Sequence, residues 1–219
     1  MLSKRLEAVA SLVEENRSVI DIGCDHALLS IYIAKNKNPK KVIASDNKEG
    51  PIAGAKENVK KYKMSDKVIV KLGDGVDPIE SDIDTIIIAG MGGLTTVGIL
   101  KYKRDLYRNV DTIIISANTD VDFVRKEICK LGYYIEEELL VKDGNIIYPI
   151  IRFKLGKKHY KKIEYLLGPI LIKKKESLFL DYLTKEKETK EKILKLLPKK
   201  YIFRRLELKK ELKEINKIL

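Results

Sequence analysis

The fold is decided by one stretch of the chain, Val19-Ile20-Asp21-Ile22-Gly23-Cys24-Asp25-His26-Ala27-Leu28-Leu29. A β-branched run that contains an acid leads into a turn of small and polar residues, and apolar residues then recur at helical spacing. This is the pattern of a strand, a tight loop and the start of a helix, which binds nucleotide-type ligands at the edge of a parallel sheet. An ordinary strand-to-helix turn without a ligand is the alternative interpretation.

The turn itself favours a ligand without phosphate groups. Gly23 lets the backbone approach a ligand closely, and Asp21 offers an acceptor to a ligand amine. Asp25 and Ala27 stand where the dinucleotide fingerprint has its later glycines, so the glycine-rich cradle for pyrophosphate is missing. S-adenosylmethionine is an adenosine cofactor that carries no phosphate. We predict that its methionine part lies near Asp21, Gly23 and the backbone of Asp25 and His26.

Further buried-type strands follow, and the next two end at acids. The predicted strands are 41–46, 68–72, 85–89 and 112–116. An acid about 20 residues after the first turn can bind the two ribose hydroxyls, so we assign Asp46, with Asn47 beside it, to the ribose. Asp74 and Gly75 are assigned to the adenine. A single acid at such a place more commonly caps a helix, but acids at three successive strand ends favour a cofactor site.

The composition limits the class of protein. Hydrophobic residues make up 44% of the 219 residues, which suffices for one α/β domain with a small appendage. No apolar run could span a bilayer, the N-terminus leads into an amphipathic helix, and two cysteines fit a reducing compartment. We therefore expect a cytoplasmic protein without membrane contact. With only His26 and His159, and no His/Cys cluster, we expect no metal.

The net charge of +12 is concentrated at the end of the chain. Residues 157–219 contain 20 Lys and Arg against 9 Asp and Glu, whereas the first 156 residues are close to neutral. This asymmetry favours a polyanionic partner, most simply nucleic acid. A pair of solvated, lysine-rich helices is the alternative explanation.

Strands and helices alternate up to about residue 130. Helices are predicted over 3–15 and near 28–35, 51–62, 93–102 and 120–131. Strands at 133–141 and 146–155 then form a hairpin around the turn at 142–145. An alternating α/β run that ends in an antiparallel hairpin is the build of class I methyltransferases, which have a Rossmann-like sheet with a reversed final strand.

After Gly168-Pro169 the pattern changes to two helices separated by Pro198. Two apolar stripes at helical spacing predict them: Leu178, Tyr182, Thr189, Ile193 and Leu196, then Leu208, Leu212, Ile215 and Leu219. We expect a short antiparallel, coiled-coil-like hairpin. The chain is therefore divided into a catalytic domain, residues 1–158, and a helical domain, residues 159–219.

Six short motifs spread along the chain allow comparison with known families: Ser3-Lys4-Arg5-Leu6, Asp21-Ile22-Gly23-Cys24-Asp25-His26-Ala27, Glu49-Gly50-Pro51, Leu72-Gly73-Asp74-Gly75, Ile88-Ala89-Gly90-Met91-Gly92-Gly93 and Asp143-Gly144. With these motifs the chain resembles the bacterial tRNA (adenine(22)-N1)-methyltransferase family over essentially its whole length. That family has a class I S-adenosylmethionine-dependent domain followed by a helical coiled-coil domain. The chain departs from it at Ser116-Ala117-Asn118, where the family has Gln-Pro-Asn.

The resemblance implies methyl transfer from S-adenosylmethionine to N1 of an adenine in tRNA, at position 22. N1 has a free lone pair at neutral pH, so no strong base needs to act first. The task of such a site is to align the nucleophile, the methyl group and the sulfur, and to offer a polar surface to the cation that forms. Because N1 lies on the Watson–Crick edge, the target base must leave its pair.

The run of small residues at 90–93 follows the fourth strand, where methyltransferases place the substrate base. We assign Met91 and Gly92, with Asn118 nearby, to the catalytic pocket, Gly93 to the substrate and Gly90 to the cofactor. The small side chains would let a flipped ring approach the methyl donor. A glycine-rich helix start that packs on the sheet is the alternative.

Basic residues supply the remaining candidates. Arg5 is assigned to a substrate phosphate or to the rim of the cofactor, with a surface helix charge as the alternative. Lys199, Lys200, Arg204 and Arg205 cluster between the two C-terminal helices and are assigned to tRNA phosphates. The hairpin could instead pack on the catalytic domain or on a second copy, although we expect a monomer.

Two other functions stay open at this point. One is a catalytically inactive RNA-binding or adaptor protein, and the other is a methyltransferase for a small molecule or a protein. The acids Asp21, Asp46 and Asp74 favour an active enzyme, because an inactive copy has little reason to keep them.

Overall fold

Seven strands form one mixed sheet in the order β3-β2-β1-β4-β5-β7-β6 of the computed structural model, which describes residues 2–219. The strands are β1 (Ser18–Ile22), β2 (Lys41–Asp46), β3 (Val68–Leu72), β4 (Thr85–Ala89), β5 (Thr112–Ser116), β6 (Tyr133–Asp143) and β7 (Ile146–Leu155). β1 to β5 pair in parallel, and β7 lies antiparallel between β5 and β6. The predicted α/β fold with a reversed final strand is confirmed.

The central strands are apolar because helices cover both faces of the sheet. All five residues of β1 and all five of β5 are buried. The helices of this part are α1 (Lys4–Ser11), α2 (Leu28–Asn36), α3 (Glu49–Lys61), α4 (Gly93–Lys101) and α5 (Val121–Lys130), with a 3-10 helix at Arg104–Tyr107. Continuous β-branched runs between helical segments are thus explained by burial on two sides.

The first helix ends earlier than the sequence predicts. α1 begins after Ser3, whose Oγ accepts from the Leu6 backbone N–H at 3.3 Å, and ends at Ser11 rather than at residue 15. The N–H groups of Leu12 and Val13 close tight bonds to carbonyls three residues back, and the chain then turns towards β1. Both side chains are buried, so the apolar spacing continues past the end of the helix.

The β6–β7 hairpin turns over two residues, Gly144 and Asn145, rather than over the four predicted. Gly144 has a φ of +59°, the left-handed conformation that a two-residue hairpin turn needs at its first central position. The hairpin therefore extends two residues further than the alternation of apolar residues indicates.

The chain divides into two compact units, the first ending at Lys158 and the second beginning at His159. The second unit is helical, with α6 (Lys162–Leu167), α7 (Pro169–Lys174), α8 (Ser177–Leu196) and α9 (Ile202–Asn216). α8 and α9 form an antiparallel hairpin, in which Lys190 Nζ contacts the Glu211 carboxylate at 2.8 Å. The predicted pair of helices is present, and its coiled-coil character stays a prediction.

The apolar stripe predicted for the first helix of this hairpin is only partly buried, because Leu178 and Tyr182 are half-buried and the other three residues are exposed. Phe179 and Leu183 are the buried residues of α8, whereas Thr189, Ile193 and Leu196 are exposed. The sequence repeats apolar residues at helical spacing on two faces of α8, and only packing selects the face that is buried. In α9, Leu208 and Ile215 are fully buried and Leu212 is half-buried, as predicted, but Leu219 lies beyond the helix and is exposed.

Candidate active site

The loop after β1 is held in an unusual backbone conformation. Gly23, Asp25 and Ala27 all have positive φ, at +75°, +51° and +56°. The N–H groups of Gly23 and Cys24 both donate to the Ser45 carbonyl, at 2.8 and 2.9 Å. The loop is therefore tied to the end of β2, with its backbone turned along the carboxyl edge of the sheet.

Asp21 is a buried carboxylate at this edge. Its side chain is 3% exposed, and its Oδ2 accepts from the Ser30 hydroxyl at 2.7 Å. Burial raises the pKa of Asp21 from 3.8 to about 6, the Ser30 hydrogen bond opposes this shift, and the charge of Asp46 adds to it. A cationic group in the adjoining cleft would stabilise the ionised form.

A cleft of about 350 Å³ opens beside Asp21. Its walls come from α1, the β1–α2 turn, the start of α2 and the end of β4, and the polar or small residues among them include Arg5, Asp21, Gly23, Asp25, His26 and Gly90. One buried carboxylate and one guanidinium thus face the same space. This pairing suits a ligand that carries both an ammonium and a carboxylate group.

A second cleft of about 420 Å³ lies along the ends of β2 and β3. Its polar lining includes Asp46, Asn47, Lys48 and Asp74, and its apolar lining includes Pro51 and Ile99. Asn47 Nδ2 donates to Asp74 Oδ1 at 3.3 Å, and Asp46 Oδ2 accepts from the Asp25 N–H at 3.3 Å. Two carboxylates beside apolar side chains provide acceptors for hydroxyls and amines and a surface for a flat ring.

The two clefts meet at Met91. Gly23, Asp25 and Met91 line both of them, and a Cβ at Gly23 would overlap Met91 Cε. The Met91 side chain therefore fits at the junction because Gly23 has no side chain. A ligand that extends from one cleft into the other passes along this contact.

A hydrogen-bond chain links α1 to the ends of β4 and β5. Arg5 Nη1 donates to Asn118 Oδ1 at 3.1 Å, and Asn118 Nδ2 donates to the Gly90 carbonyl at 2.7 Å. The Arg5 guanidinium also lies 5.0 Å from the ring centroid of Tyr148. Sequence reasoning missed Tyr148, because no motif connects residue 148 of β7 to the first helix, and only the sheet order brings them together.

Gly92 and Gly93 line neither cleft. Gly92 is the residue before α4, and Gly93 donates its N–H to the Thr119 carbonyl at 3.1 Å. A Cβ at Gly93 would lie 2.6 Å from that carbonyl oxygen and 2.8 Å from that of Asp120. The structure thus gives Gly93 a packing role beside the site, which is the alternative explanation noted from the sequence.

Neither Cys24 nor His26, which follow Gly23 closely, is placed as a nucleophile. Burial raises the pKa of the Cys24 thiol far above its usual range, so the thiol stays protonated. His26 Nε2 lies 3.7 Å from Asp25 Oδ1 in an exposed setting, and its ring packs against Gly54. The clefts therefore contain groups that bind and orient a ligand, without an activated nucleophile of their own.

The basic cluster of the second unit lies at the turn between α8 and α9. Lys199 and Lys200 are exposed, and Arg204 Nη1 contacts the Glu207 carboxylate at 2.5 Å. Arg205 has a structural role, because its Nη1 donates to the carbonyls of Leu194 and Leu197 at 2.8 and 2.5 Å. These two bonds satisfy carbonyls at the end of α8.

These observations fit S-adenosylmethionine better than a phosphate-bearing nucleotide. The buried Asp21 carboxylate suits an ammonium group, and the Asp46 and Asp74 carboxylates of the second cleft suit a ribose diol and an adenine amine. Among residues 2–219 no cluster of His, Cys, Asp and Glu side chains could hold a metal ion. Fold and site together define a class I methyltransferase.

Comparison with known proteins gives the same class. The methyltransferase domain family matches residues 2–151. The tRNA (adenine(22)-N(1))-methyltransferase of Bacillus subtilis is 30% identical over 158 residues, which are 72% of this chain and 66% of that enzyme. The chain thus spans just under two thirds of that relative in the alignment.

Solved structures extend the similarity to the whole chain. A Streptococcus pneumoniae protein in complex with S-adenosyl-L-methionine is 30% identical, with a TM-score of 0.91 and 100% of both chains covered. TrmK of M. capricolum in complex with S-adenosyl-homocysteine is 29% identical, with a TM-score of 0.86 over 99% of this chain and 97% of that one. The chain belongs to the tRNA (adenine(22)-N1)-methyltransferase family, as its motifs predict.

Family membership confirms the expectation of a methyltransferase and gives no support to an inactive adaptor. No helix among residues 2–219 is long and apolar enough to cross a bilayer.

Proposed function

We propose that this protein transfers the methyl group of S-adenosylmethionine to N1 of adenine 22 in tRNA. The observation that carries the proposal is the pair of adjoining clefts, with the buried Asp21 carboxylate in one and the Asp46 and Asp74 carboxylates in the other. One molecule with an amino-acid end and an adenosine end fits this distribution of charge. The bound cofactors of the solved relatives support the choice.

Asp21 and Arg5 bind the two charged groups of the methionine part in this proposal. Asp21 has a pKa of about 6, so it is ionised at neutral pH and attracts an ammonium group. Arg5 lines the same cleft, and its guanidinium suits a carboxylate. Gly23 and the backbone of Asp25 and His26 form the wall between these charges.

The adenosine part occupies the second cleft. Asp46 accepts from the ribose hydroxyls, with Asn47 beside it, while Asp74 and Gly75 lie at the adenine amine. Ile99 packs on a face of the ring, since it lines that cleft. The acids act as hydrogen-bond acceptors, and none of them has to exchange a proton during the reaction.

The cofactor supplies an electrophilic methyl group, and the chain aligns the acceptor with it. Met91 lies at the junction of the clefts and Gly90 lines the first of them, so the target base approaches there. Asn118 acts as a positioning residue, because its amide fixes both the Gly90 carbonyl and the Arg5 guanidinium. The adenine N1 lone pair attacks directly, so no base is required.

The helical unit contributes tRNA affinity through cations that contact phosphates. Lys199, Lys200 and Arg204 are the candidates, whereas the guanidinium of Arg205 bonds to the carbonyls at the end of α8. We propose that one copy of the chain carries the complete site, because both clefts are lined by its own residues 2–158. Sedimentation at the concentrations used for assay tests this point.

The decisive experiment maps modified nucleosides in tRNA. Unmodified tRNA with adenine at position 22 is incubated with the protein and methyl-labelled cofactor, and the product is digested and identified by mass spectrometry. We expect 1-methyladenosine, and we expect none when adenine 22 is replaced by guanine. A label on another nucleoside, or equal labelling of the replaced tRNA, would contradict the proposal.

A further inference from the structure

The turn between α8 and α9 exposes a group of large apolar side chains. We name it the tip surface, and its members are Ile193, Leu196, Tyr201, Ile202, Phe203 and Leu206. Phe203 is 89% exposed, Leu196 84% and Ile202 61%. A concentration of exposed large apolar side chains at the end of a hairpin is characteristic of an interaction site, because proteins rarely leave such a group uncovered.

Cations surround the tip surface. Residues 192–206 contain six Lys and Arg and no Asp or Glu. Lys192, Lys195, Lys199 and Lys200 are exposed, and Lys200 Nζ lies 5.4 Å from the ring centroid of Tyr201. The remainder of α8 and α9 mixes acidic with basic residues, so the purely cationic segment coincides with the apolar one.

We propose that the tip surface stacks on unpaired nucleobases of the tRNA substrate, with Phe203 as the main stacking side chain. Aromatic and apolar faces inside a cationic rim are the combination that binds single-stranded nucleic acid, since bases stack on rings while Lys and Arg contact phosphates. A second copy of the chain is a poor occupant, because two tips of the same positive charge repel each other. The inference rests on the proposed function, which identifies the polyanion as tRNA.

The tip surface distinguishes unpaired bases from helical RNA, which phosphate contacts alone do not. Contacts from Lys and Arg hold any stretch of RNA backbone and weaken steeply with salt. Stacking requires bases that are not enclosed in a helix, so it directs the tip towards a loop of the folded tRNA. The hairpin therefore selects a loop of the tRNA by its shape and by the accessibility of its bases.

The test measures tRNA affinity against salt concentration for Phe203→Ala. We expect roughly 5- to 150-fold weaker binding, the range that removal of one base–aromatic stack produces. The slope of log affinity against log salt stays at the wild-type value, because no cation is lost. A double variant, Lys199→Gln with Lys200→Gln, lowers that slope by about 0.7–0.9 for each phosphate contact removed.

Matched variants separate stacking from plain hydrophobicity. Phe203→Tyr keeps the ring and is expected to keep most of the affinity, whereas Phe203→Leu keeps apolar bulk and is expected to bind almost as poorly as Phe203→Ala. Leu219→Ala removes an exposed apolar side chain at the other end of α9 and should bind as wild type. Circular dichroism confirms that each variant is folded.

The outcomes distinguish this inference from the proposed function. If wild-type protein neither binds nor methylates tRNA, the proposed function fails and the inference with it. If wild type binds and Phe203→Ala binds equally well, or loses affinity together with salt slope, stacking is refuted. Two other results also overturn the inference. In the first, wild type sediments as a dimer and Phe203→Ala is a monomer. In the second, Phe203→Ala loses binding to phosphatidylglycerol vesicles while its tRNA affinity is unchanged.

Discussion

Replacement of Asp21 by asparagine should stabilise the cofactor-free protein while removing cofactor binding. The Asp21 carboxylate is 3% exposed and has a pKa raised from 3.8 to about 6. Because the folded pKa lies above the unfolded one, the native state holds this proton more tightly. The contribution of Asp21 to stability is therefore complete below about pH 4 and is lost as the pH rises through 6.

A pKa raised from 3.8 to about 6 corresponds to roughly 3 kcal/mol, since a tenfold change in proton affinity is worth about 1.36 kcal/mol. The asparagine of the Asp21→Asn variant is neutral at every pH, and its amide oxygen can still accept from the Ser30 hydroxyl. We therefore expect Asp21→Asn to unfold at higher urea than wild type at pH 7.5, by up to roughly 3 kcal/mol, and to match it near pH 4. Because the two proteins are compared at the same pH, the contributions of all other titrating groups to the stability difference cancel.

Urea unfolding curves at pH 4, 5, 6 and 7.5 without cofactor give the stability difference, and calorimetry at pH 7.5 gives cofactor affinity. Asp66→Asn, an exposed acid, serves as the control and should match wild type throughout. For wild type, cofactor affinity should fall as the pH is lowered through 6, because a protonated Asp21 cannot pair with an ammonium group. An Asp21→Asn protein that is no more stable than wild type at pH 7.5 would show that burial of the charged carboxylate costs no stability, and normal cofactor binding by this variant would exclude Asp21 as the partner of the ammonium group.

Three further substitutions test other parts of the structure. Asp46→Ala should weaken cofactor binding by about 1.5–3 kcal/mol in calorimetry, the value of a hydrogen bond to a charged group, and unchanged affinity would exclude Asp46 as the ribose acceptor. Gly92→Val should leave cofactor affinity intact while methyl transfer collapses. Gly98→Val is the control, because a Cβ at Gly98, in the helix that follows, meets open space. Normal turnover by Gly92→Val would mean that the target base binds elsewhere. Glu138→Ala removes the carboxylate that the buried Arg125 contacts at 2.7 Å and should lower the free energy of unfolding by about 3–5 kcal/mol. The double variant Arg125→Met with Glu138→Leu should recover most of that stability, because it leaves no unpaired buried charge. Equal stability of the single and double variants in urea would contradict that account.

Local sequence predicted the strand-end loops well. Val19 to Ile22 is buried on both faces, and the acids that follow such strands lie at one edge because parallel strands all end there. The same logic failed for α8, where two apolar faces compete and the chain alone does not say which one packs. The sequence also did not predict the buried pair of Arg125 and Glu138, because charged residues in helices and strands usually lie at the surface.

The fold class, the order of strands and helices along the chain, the family and the cofactor-type loop all follow from the amino-acid sequence. Those features depend on hydrophobic periodicity and on short motifs, which are local. Three contacts of the site became visible only in the folded molecule: Arg5 bonds to Asn118 across 113 residues, Tyr148 lies beside the Arg5 guanidinium, and Met91 fills the space at Gly23. Such contacts depend on the position of β7 between β5 and β6 and on side-chain packing at the strand ends, which no local pattern encodes.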